Sequence, residues 1–325
     1  MRVMITGATT PLGAALVDTL LAQRDVELVL AIGRESEPLE RRAHDRLQYR
    51  RCDLTHQRSL HDLLWGEVRS LGIDAVVHGM HHRLARDAGR AVHAQNVSST
   101  RALVLACADH PTIRRLVYRS FAEVYALHQA TTEVLDEESP LEFDPSTPQW
   151  LRDRVEADLT ACAHLCNPSP RIAVLRCAEI LAPASGSQLW DYLSSRVCLR
   201  PLGYDPILNV LSLEDAAEAF LAALRSEEIG VFNIPGFDTL PLSRAIAESV
   251  RVDIPIPGSM MSPMYKLRRI IAGFDFRYDM NVRRFHFGGV VDGTRALRTL
   301  GYAPRHPVQW PRPRYPEPPA ARHRM

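Results

Sequence analysis

The sequence contains almost no lysine. Only Lys266 among its 39 basic residues is a lysine, which leaves 38 arginines. Arginine stays protonated near neutral pH, so it neither forms a Schiff base nor exchanges a proton there. Any mechanism that needs a lysine elsewhere in the chain is therefore excluded.

An excess of one charge and long apolar runs are also missing. The 39 basic residues face 38 acidic ones, for a net charge of +1, so nothing favours a polyanion, and no nucleic-acid partner is expected. No apolar run approaches the roughly 18 residues of a membrane span, so we expect a cytoplasmic protein without a membrane partner. The six cysteines form no CxxC pair, which indicates reduced thiols.

Metal, serine-hydrolase and P-loop signatures are missing as well. Cys162, His164 and Cys166 lie in a helical pattern in which the middle residue points away from the other two, so no metal site is expected there. The sequence contains neither a GxSxG nor a GxxxxGK motif.

Short aliphatic runs alternate with helical patterns along the first half of the 325 residues. This order predicts an α/β fold of the Rossmann type, with a doubly wound parallel sheet. The predicted strands are 3–6, 28–33, 48–52, 75–78, 116–120 and 172–176. The predicted helices are 12–23, 60–68, 91–109, 151–166 and 212–224.

Three regions are predicted from the spacing of these elements. Residues 1–235 form the nucleotide-binding domain, with 183–204 contributing to a smaller lobe. Residues 236–304 form that substrate-binding lobe, and the Pro/Arg-rich stretch 305–325 is predicted to be a disordered tail.

Within the lobe, the pattern of residues 262–274 predicts an amphipathic helix. We expect its apolar side, formed by Met264, Leu267, Ile270, Ile271 and Phe274, to pack on the core; a membrane-surface helix or a lid over an apolar substrate stays open.

The first strand, a tight turn and a helix form the segment MRVMITGATTPLGAALVDTLL. Gly7 permits the sharp turn, and Gly13 lets helix and strand approach. The helix N-terminus presents N–H groups to a pyrophosphate. Thr10 replaces the middle glycine of this pattern, and Pro11 suits the first helical turn. A strand-helix turn without a ligand is the alternative.

Several ordered motifs resemble the extended short-chain dehydrogenase/reductase family, the NAD-dependent epimerases and dehydratases. TGATTPLG resembles TGxxGxxG, CDLT at 52–55 the adenine-contacting Asp-Leu pair, and VVHGMHH at 76–82 the strand end VVHLAA. NVSSTRALVLAC, LVYRSFAEVYA, LRCAEILAP and the segment 291–306 follow in the family's order. The likeness covers roughly residues 1–304.

The resemblance implies a dinucleotide cofactor. Gly33 stands where NAD-preferring members have an acidic residue, and Arg34 follows it, so NADP is favoured over NAD. The expected cofactor-binding residues are Gly7, Thr9, Thr10, Pro11, Leu12, Gly13, Arg34, Asp53, Leu54, His78 and Arg154. The resemblance also implies a homodimer through the helices at 91–109 and 151–166.

The family's Ser/Tyr/Lys catalytic triad is degenerate in this chain. The usual Ser position falls on Phe121, with Ser120 one residue before it, and Trp150 and Arg154 stand at the Tyr and Lys positions. Indole N–H does not titrate in water, so Trp150 is no general acid or base. Ser120, Trp150 and Arg154 remain the expected catalytic set.

Six other residues are alternatives for the proton transfer that the tyrosine performs in the family. They are His81, His82, Tyr118, Glu123, Tyr125 and Glu179.

Two functions follow from the resemblance. The first is redox or epimerase/dehydratase-like chemistry at a carbinol or carbonyl carbon of a small molecule. The second is an inactive NADP(H)-binding sensor or scaffold. Sugar-nucleotide, sterol-like and polyketide-like substrates all stay open.

Overall fold

The computed structural model describes residues 1–35, 44–85, 87–127, 133–272 and 276–312. In chain order the strands are β1 Arg2–Thr6, β2 Leu28–Gly33, β3 Leu47–Arg51, β4 Ala75–His78, β5 Arg115–Phe121, β6 Glu133–Leu135, β7 Arg171–Cys177, β8 Glu179–Ile180, β9 Val197–Pro201, β10 Ile207–Leu211, β11 Gly230–Ile234, β12 Asp238–Pro241, β13 Val252–Ile256 and β14 Gly289–Val291.

The α-helices are α1 Pro11–Leu21, α2 Gln57–Asp62, α3 Arg90–His93, α4 Ser99–Ala108, α5 Gln149–Cys162, α6 Gln188–Leu193, α7 Leu213–Arg225, α8 Leu242–Glu248, α9 Gly258–Ala272, α10 Tyr278–His286 and α11 Thr294–Leu300. The π-helical turns Leu63–Val68 and Ala94–Ser98 extend α2 and connect α3 to α4, and Ala122–Val124 is a 3-10 turn. No helix in the part of the chain that the structure describes is long and apolar enough to cross a membrane.

A seven-stranded parallel sheet forms the centre of the molecule, in the order β11-β7-β5-β4-β1-β2-β3. One face packs on α1, α7 and α11, and the other on α2, α4 and α5, through side chains such as Leu16, Phe220, Leu64 and Leu103. The strand order reverses between β1 and β4, where doubly wound sheets open a ligand crevice beyond their carboxyl ends. The predicted fold is confirmed.

The smaller lobe has its own core, in which Tyr192, Phe276 and Phe285 pack together. It combines the β9–β13 pair, β10 with β12 and α6, α8, α9 and α10, so residues 188–211 contribute as well as residues after 236. The first part of the segment after β14 does not belong to it, because Ala296 and Tyr302 pack in the core on the α1 and α7 side of the central sheet. Val308 and Trp310, further along, pack in the core of the lobe.

Two expectations about the lobe and the tail need correction. The side of α9 with Leu267, Ile270 and Ile271 is exposed, with Ile270 at 79% and Ile271 at 75%, because Met261 and Tyr265 occupy the core; Phe274 lies outside the described residues. At the start of the tail, the backbone N–H groups of Arg305 and His306 donate to buried Asp215. Residues 305–312 are therefore fixed, and residues 313–325 lie outside the described ranges.

Candidate functional site

The turn between β1 and α1 has the geometry that a close-lying phosphate requires. Gly7 has a φ of +73°, and a Cβ there would lie 3.0 Å from the Met80 backbone. A Cβ on Gly13 would lie 2.2 Å from the Gly7 carbonyl oxygen, so α1 and the turn touch. The Thr10 hydroxyl donates to the Gly7 carbonyl (2.8 Å) and accepts from the Gly13 N–H (3.0 Å). Thr10 therefore caps α1 in place of the missing glycine.

Pro11 and Gly13 contribute no free donor at this helix end. Pro11 has no N–H, and the N–H of Gly13 donates to the Thr10 hydroxyl. Leu12 lies between them, and its N–H is not used by this cap. Its position at the helix N-terminus suits a phosphate oxygen.

A cleft of about 500 Å³ opens in front of this turn, at the crevice between β1 and β4. Its lining residues are Gly7, Thr9, Thr10, Ile32, Gly33, Arg34, Glu35, Arg51, Cys52, Asp53, Met80, His81, His82, Arg83, Leu84 and Gln95. Its volume lies within the range of cofactor sites, which is about 300–1,000 Å³. The glycine turn and the charged rim fit the adenosine and pyrophosphate parts of a dinucleotide.

The rim at the end of β2 carries opposite charges. Arg34 Nη2 lies 3.3 Å from Asp53 Oδ2, and Arg34 Nη1 donates to Gln95 (3.0 Å). Gly33 pairs with Arg51 in the sheet, and a Cβ on Gly33 would lie 2.5 Å from the Tyr49 hydroxyl. A side chain at position 33 would require Tyr49 to move, and Glu35 supplies a second carboxylate on this rim, beside Gly33.

Glu35 is a site residue that the sequence pattern did not reveal. Its carboxylate accepts hydrogen bonds from the Thr9 hydroxyl (2.6 Å) and the Arg34 N–H (3.1 Å). Burial alone would raise the pKa of Glu35, but these hydrogen bonds outweigh it and lower the pKa. Glu35 therefore presents a negative charge two residues beyond the position where the family has one.

Two residues of the expected cofactor set lie beneath the cleft and do not line it. Leu54 is buried in the core, and His78 bonds Thr6 (2.7 Å) and Thr100 (2.9 Å) through its two ring nitrogens. Burial lowers the pKa of His78 to about 4. Both residues thus support the strands that bear the cleft.

Ser120 also points away from the cleft. Its hydroxyl donates to Asp158, which lies fully buried on α5 and pairs with Arg176 at 2.8 Å. Successive side chains of a strand point to opposite faces, so with Phe121 packed against His81 and Arg154, Ser120 points the other way, toward Asp158. Ser120 therefore does not meet the other two residues of the expected catalytic set.

Trp150 and Arg154 do come together, around Phe121. The Arg154 guanidinium carbon lies 3.9 Å from the Phe121 ring centre and 4.3 Å from that of Trp150. Arg154 pairs with Glu123 (3.2 Å) and donates from Nε to His81 (3.3 Å). Burial lowers the pKa of Arg154 to about 10, so the side chain remains charged at neutral pH.

The alternative proton donors are held by other partners. Burial, with the cations of Arg154 and Arg119 nearby, lowers the pKa of His81 well below its usual value, so His81 is neutral. His82 bonds Asp87 at 2.8 Å, and Tyr118 stacks on His78 in the core. The Tyr125 hydroxyl donates to Asn233 (2.6 Å).

Arg119 is a second site residue that sequence reasoning missed. It lies on the same side of β5 as Phe121, and its guanidinium carbon is 4.7 Å from that ring. Buried Arg119 Nε, Trp150 Nε1 and Glu123 Oε2 have no hydrogen-bond partner within the described ranges. All three residues line one small cavity of about 20 Å³.

A larger cavity of about 280 Å³ adjoins this small one and shares Glu123, Trp150 and Glu179 with it. It lies between the central sheet and α10. In it Arg283 pairs with Glu142 and Asp144, and Arg284 pairs with Glu179 and, at 3.7 Å, with Glu123. The small cavity borders the cleft through the contact of Arg154 with His81, because Arg154 lines the small cavity and His81 lines the cleft.

A doubly wound sheet with a glycine turn, a capped helix and a crevice at its switch point defines a dinucleotide-binding protein. The family model described as the NAD dependent epimerase/dehydratase family matches residues 3–196, more than half of the chain. The chain belongs to this family, whose members are NAD(P)-binding, extended short-chain dehydrogenase/reductase-like proteins, and the prediction from the motifs is confirmed.

Two curated relatives span nearly the whole chain. The uncharacterized protein Rv0501 of Mycobacterium tuberculosis is 29% identical over 312 residues, which cover 93% of this chain and 80% of that protein. The 3-diazoavenalumate denitrifying reductase of a Streptomyces species is 26% identical over 319 residues, covering 94% and 97%.

Solved structures share the fold at low identity. The dTDP-glucose 4,6-dehydratase DesIV of Streptomyces venezuelae, with NAD and TYD bound, has a TM-score of 0.70 at 20% identity, covering 94% of this chain and 93% of its own. The UDP-glucuronic acid 4-epimerase of Bacillus cereus, in complex with NAD, has a TM-score of 0.69 at 17% identity, covering 94% and 93%.

Proposed function

We propose that this protein binds NADP(H) and reduces a carbonyl group of a small molecule. The observation that carries the proposal is the proximity of the glycine-turn cleft, the Arg154 cluster and the adjoining cavity, with Arg154 in contact with His81 of the cleft. Such an arrangement brings a nucleotide and a substrate together at the end of β5.

The residues at the degenerate positions support carbonyl reduction as the reaction to assay. Rapid alcohol oxidation or epimerisation in the family relies on a base that removes the hydroxyl proton, and neither an indole nor a guanidinium does so near pH 7. Reduction needs hydrogen-bond donors at the carbonyl oxygen, which Trp150 and Arg119 provide. When bound, the reduced nicotinamide supplies the hydride; the substrate oxygen then takes its proton from solvent water. The reductase among the relatives supports this direction.

The preference for NADP rests on two arginines. Arg34 and Arg51 lie side by side at Gly33, with Arg51 Nε donating to the Arg34 carbonyl (3.0 Å), and a 2′-phosphate suits such a pair. Glu35 is the feature that opposes it, because its carboxylate suits ribose hydroxyls and repels a phosphate.

A second candidate is a non-catalytic NADP(H)-binding protein. It is favoured by the contacts of Phe121 and Trp150 with Arg154, which fill the region where the family has its catalytic groups. Consumption of NADPH with a carbonyl substrate is expected for the reductase and not for the non-catalytic protein.

The experiment combines cofactor titration with turnover. The fluorescence of NADPH and NADH is titrated against the wild type, Arg34→Ala and, as a surface control, Arg69→Ala. We expect tighter binding of NADPH, a loss of about tenfold in Arg34→Ala for NADPH alone, and no change in the control. NADPH consumption with a panel of ketones and aldehydes then measures turnover. Equal affinity for both nucleotides contradicts the NADP preference, and binding without turnover favours the second candidate.

A further inference from the structure

We infer that the substrate is an uncharged, largely apolar carbonyl compound and not a sugar nucleotide. The inference rests on the proposed function and specifies the occupant of the 280 Å³ cavity. Three features carry it: the apolar wall, the pairing of the arginines and two donors without partners.

The wall of the cavity is mainly hydrophobic. Apolar side chains from β6, β10, α5, α10 and β14 surround it: Leu135, Ile207, Leu208, Leu151, Met280, Val282 and Val291. Phe287 and the Trp150 ring add aromatic surface. Such a wall stabilises a hydrocarbon or aromatic body by removing it from water.

The two arginines of this cavity are already neutralised. Arg283 lies between Glu142 and Asp144, and Glu142 is itself buried. Arg284 lies between Glu179 and Glu123. A diphosphate would have to displace these carboxylates or lie beside them, and either change leaves a buried charge without its partner.

Among the residues that the structure describes, no further cation lines the large cavity to replace them: its lining holds no other arginine and no lysine or histidine. The single lysine lies on α9. Arg119, whose Nε has no partner among the described residues, lines the small cavity and not the large one.

The small cavity supplies the place for the polar end. Trp150 Nε1–H and Arg119 Nε–H are both donors without an acceptor among the described residues, and leaving such groups buried is unfavourable. Glu123 lines the same cavity, with Oε1 paired to Arg154 and Arg284 and Oε2 without a partner in the described ranges. A volume of about 20 Å³ is enough for one water-sized group. A carbonyl oxygen fits this demand, because it accepts from both donors while the apolar body occupies the large cavity.

The first test compares ligands on the full-length protein saturated with NADP⁺. Thermal shift and tryptophan fluorescence are measured with 4-phenylbutan-2-one, with butylbenzene as its carbonyl-free analogue, and with 3-phenylpropanoate, UDP and UDP-glucose. We expect the ketone to bind best and UDP-glucose not to compete with it. Tighter binding of UDP-glucose or of the carboxylate overturns the inference. Failure of the proposed function is a separate result, an absence of NADP(H) binding before any substrate is added.

The second test changes the charge. The double variant Glu142→Gln, Asp144→Asn releases Arg283, and UDP affinity should rise about tenfold, as for a new charge-assisted hydrogen bond. Met280→Arg adds an unpaired cation to the same wall without disturbing an existing pair, and it should act in the same direction. Strong UDP binding by the wild type, or no gain in either folded variant, contradicts the inference.

The third test removes one donor. Trp150→Phe keeps an aromatic ring over Arg154 but removes Nε1–H, so ketone affinity should fall about fivefold or more while butylbenzene binding stays the same. Trp65→Phe, at a tryptophan that lines neither cavity, is the matched control. Equal ketone affinity in Trp150→Phe and the wild type shows that the donor does not hold the oxygen.

Discussion

The Arg154 guanidinium lies over the Phe121 ring at 3.9 Å, within the distance of a cation–π contact. The motif alignment predicts that these two residues stand at the positions of the family's catalytic lysine and serine. On that alignment, a packed, buried contact stands where the family is expected to have a pair that orients substrate and cofactor. The contact of Phe121 with Arg154 differs from a serine–lysine pair in both polarity and shape.

Restoring the triad requires three changes. In Trp150→Tyr, Arg154→Lys the Phe121 ring still occupies the serine position, so we expect little alcohol oxidation. Adding Phe121→Ser returns the hydroxyl and the proton relay, and alcohol oxidation should rise at least about tenfold, as general acid–base catalysis contributes about 10²–10⁴-fold. NADP⁺ reduction with a panel of aryl alcohols measures it. Equal rates in the double and triple variants contradict the role given to Phe121.

The contact of Gly13 with Gly7 predicts a sharp difference between two glycines. Gly13→Ala forces α1 away from the turn, and we expect a loss of about 1–3 kcal/mol in unfolding free energy and at least about tenfold in NADPH affinity. Gly66 has nothing within 4 Å of a Cβ, so Gly66→Ala should be neutral or stabilise by up to about 1 kcal/mol. Urea unfolding and NADPH fluorescence compare the two. Full cofactor affinity in Gly13→Ala would contradict the pyrophosphate assignment.

The buried pair of Asp158 with Arg176 predicts a large stability effect. Asp158→Ala leaves the Arg176 charge and the Ser120 hydroxyl without their acceptor, which should cost about 3–5 kcal/mol. Glu156 lies on the same helix as Asp158 and forms an exposed pair with Arg101 of α4. Glu156→Ala should therefore cost less than about 1 kcal/mol in unfolding free energy. Denaturant unfolding measures both, and similar losses would show that burial does not decide the cost.

Buried His78 predicts loss of stability in acid. Its pKa is about 4 in the native state and about 6.5 in the unfolded chain, so the unfolded state binds more protons between these values. The contribution of His78 to the free energy of unfolding is complete above pH 6.5 and declines as the pH falls toward 4. Between pH 7 and pH 5 this decline amounts to about 2 kcal/mol. His78→Gln should flatten the dependence of unfolding free energy on pH, whereas the exposed control His61→Gln should not. Parallel curves for all three proteins contradict this assignment.

We propose that α4 and α5 form a homodimer interface. Leu105 and Leu159 are exposed at 48% and 39% on these neighbouring helices. Leu105→Glu should give a monomer in analytical ultracentrifugation, whereas Leu297→Glu, on the distant α11, should not. A monomeric wild type, or a dimer that survives Leu105→Glu, rejects the interface.

The sequence was sufficient for the parallel sheet because each strand carries an apolar run followed by a helical pattern, as in β4 before the helices at 90–108. It was not sufficient for the direction of the side chains on β5. Because Phe121 lines the small cavity, alternation along the strand places Arg119 on the same side and Ser120 on the other, so alternation would have identified Arg119.

Other site features depend on packing that no local pattern records. Glu35 reaches the cleft because Thr9, from another part of the chain, donates to it. On α9, both sides carry apolar residues, and only the neighbouring Tyr192 and Phe276 decide that Tyr265 is buried while Ile270 is not.

The scarcity of lysine has a practical consequence. Lys266 is exposed on α9, on the surface of the smaller lobe. Because the sequence has no other lysine, an amine-reactive fluorophore has one side-chain target. The amine of Met1 donates to the Asp25 carbonyl and pairs with Glu27. A dye attached at residue 266 would report movement of this lobe without any engineered cysteine.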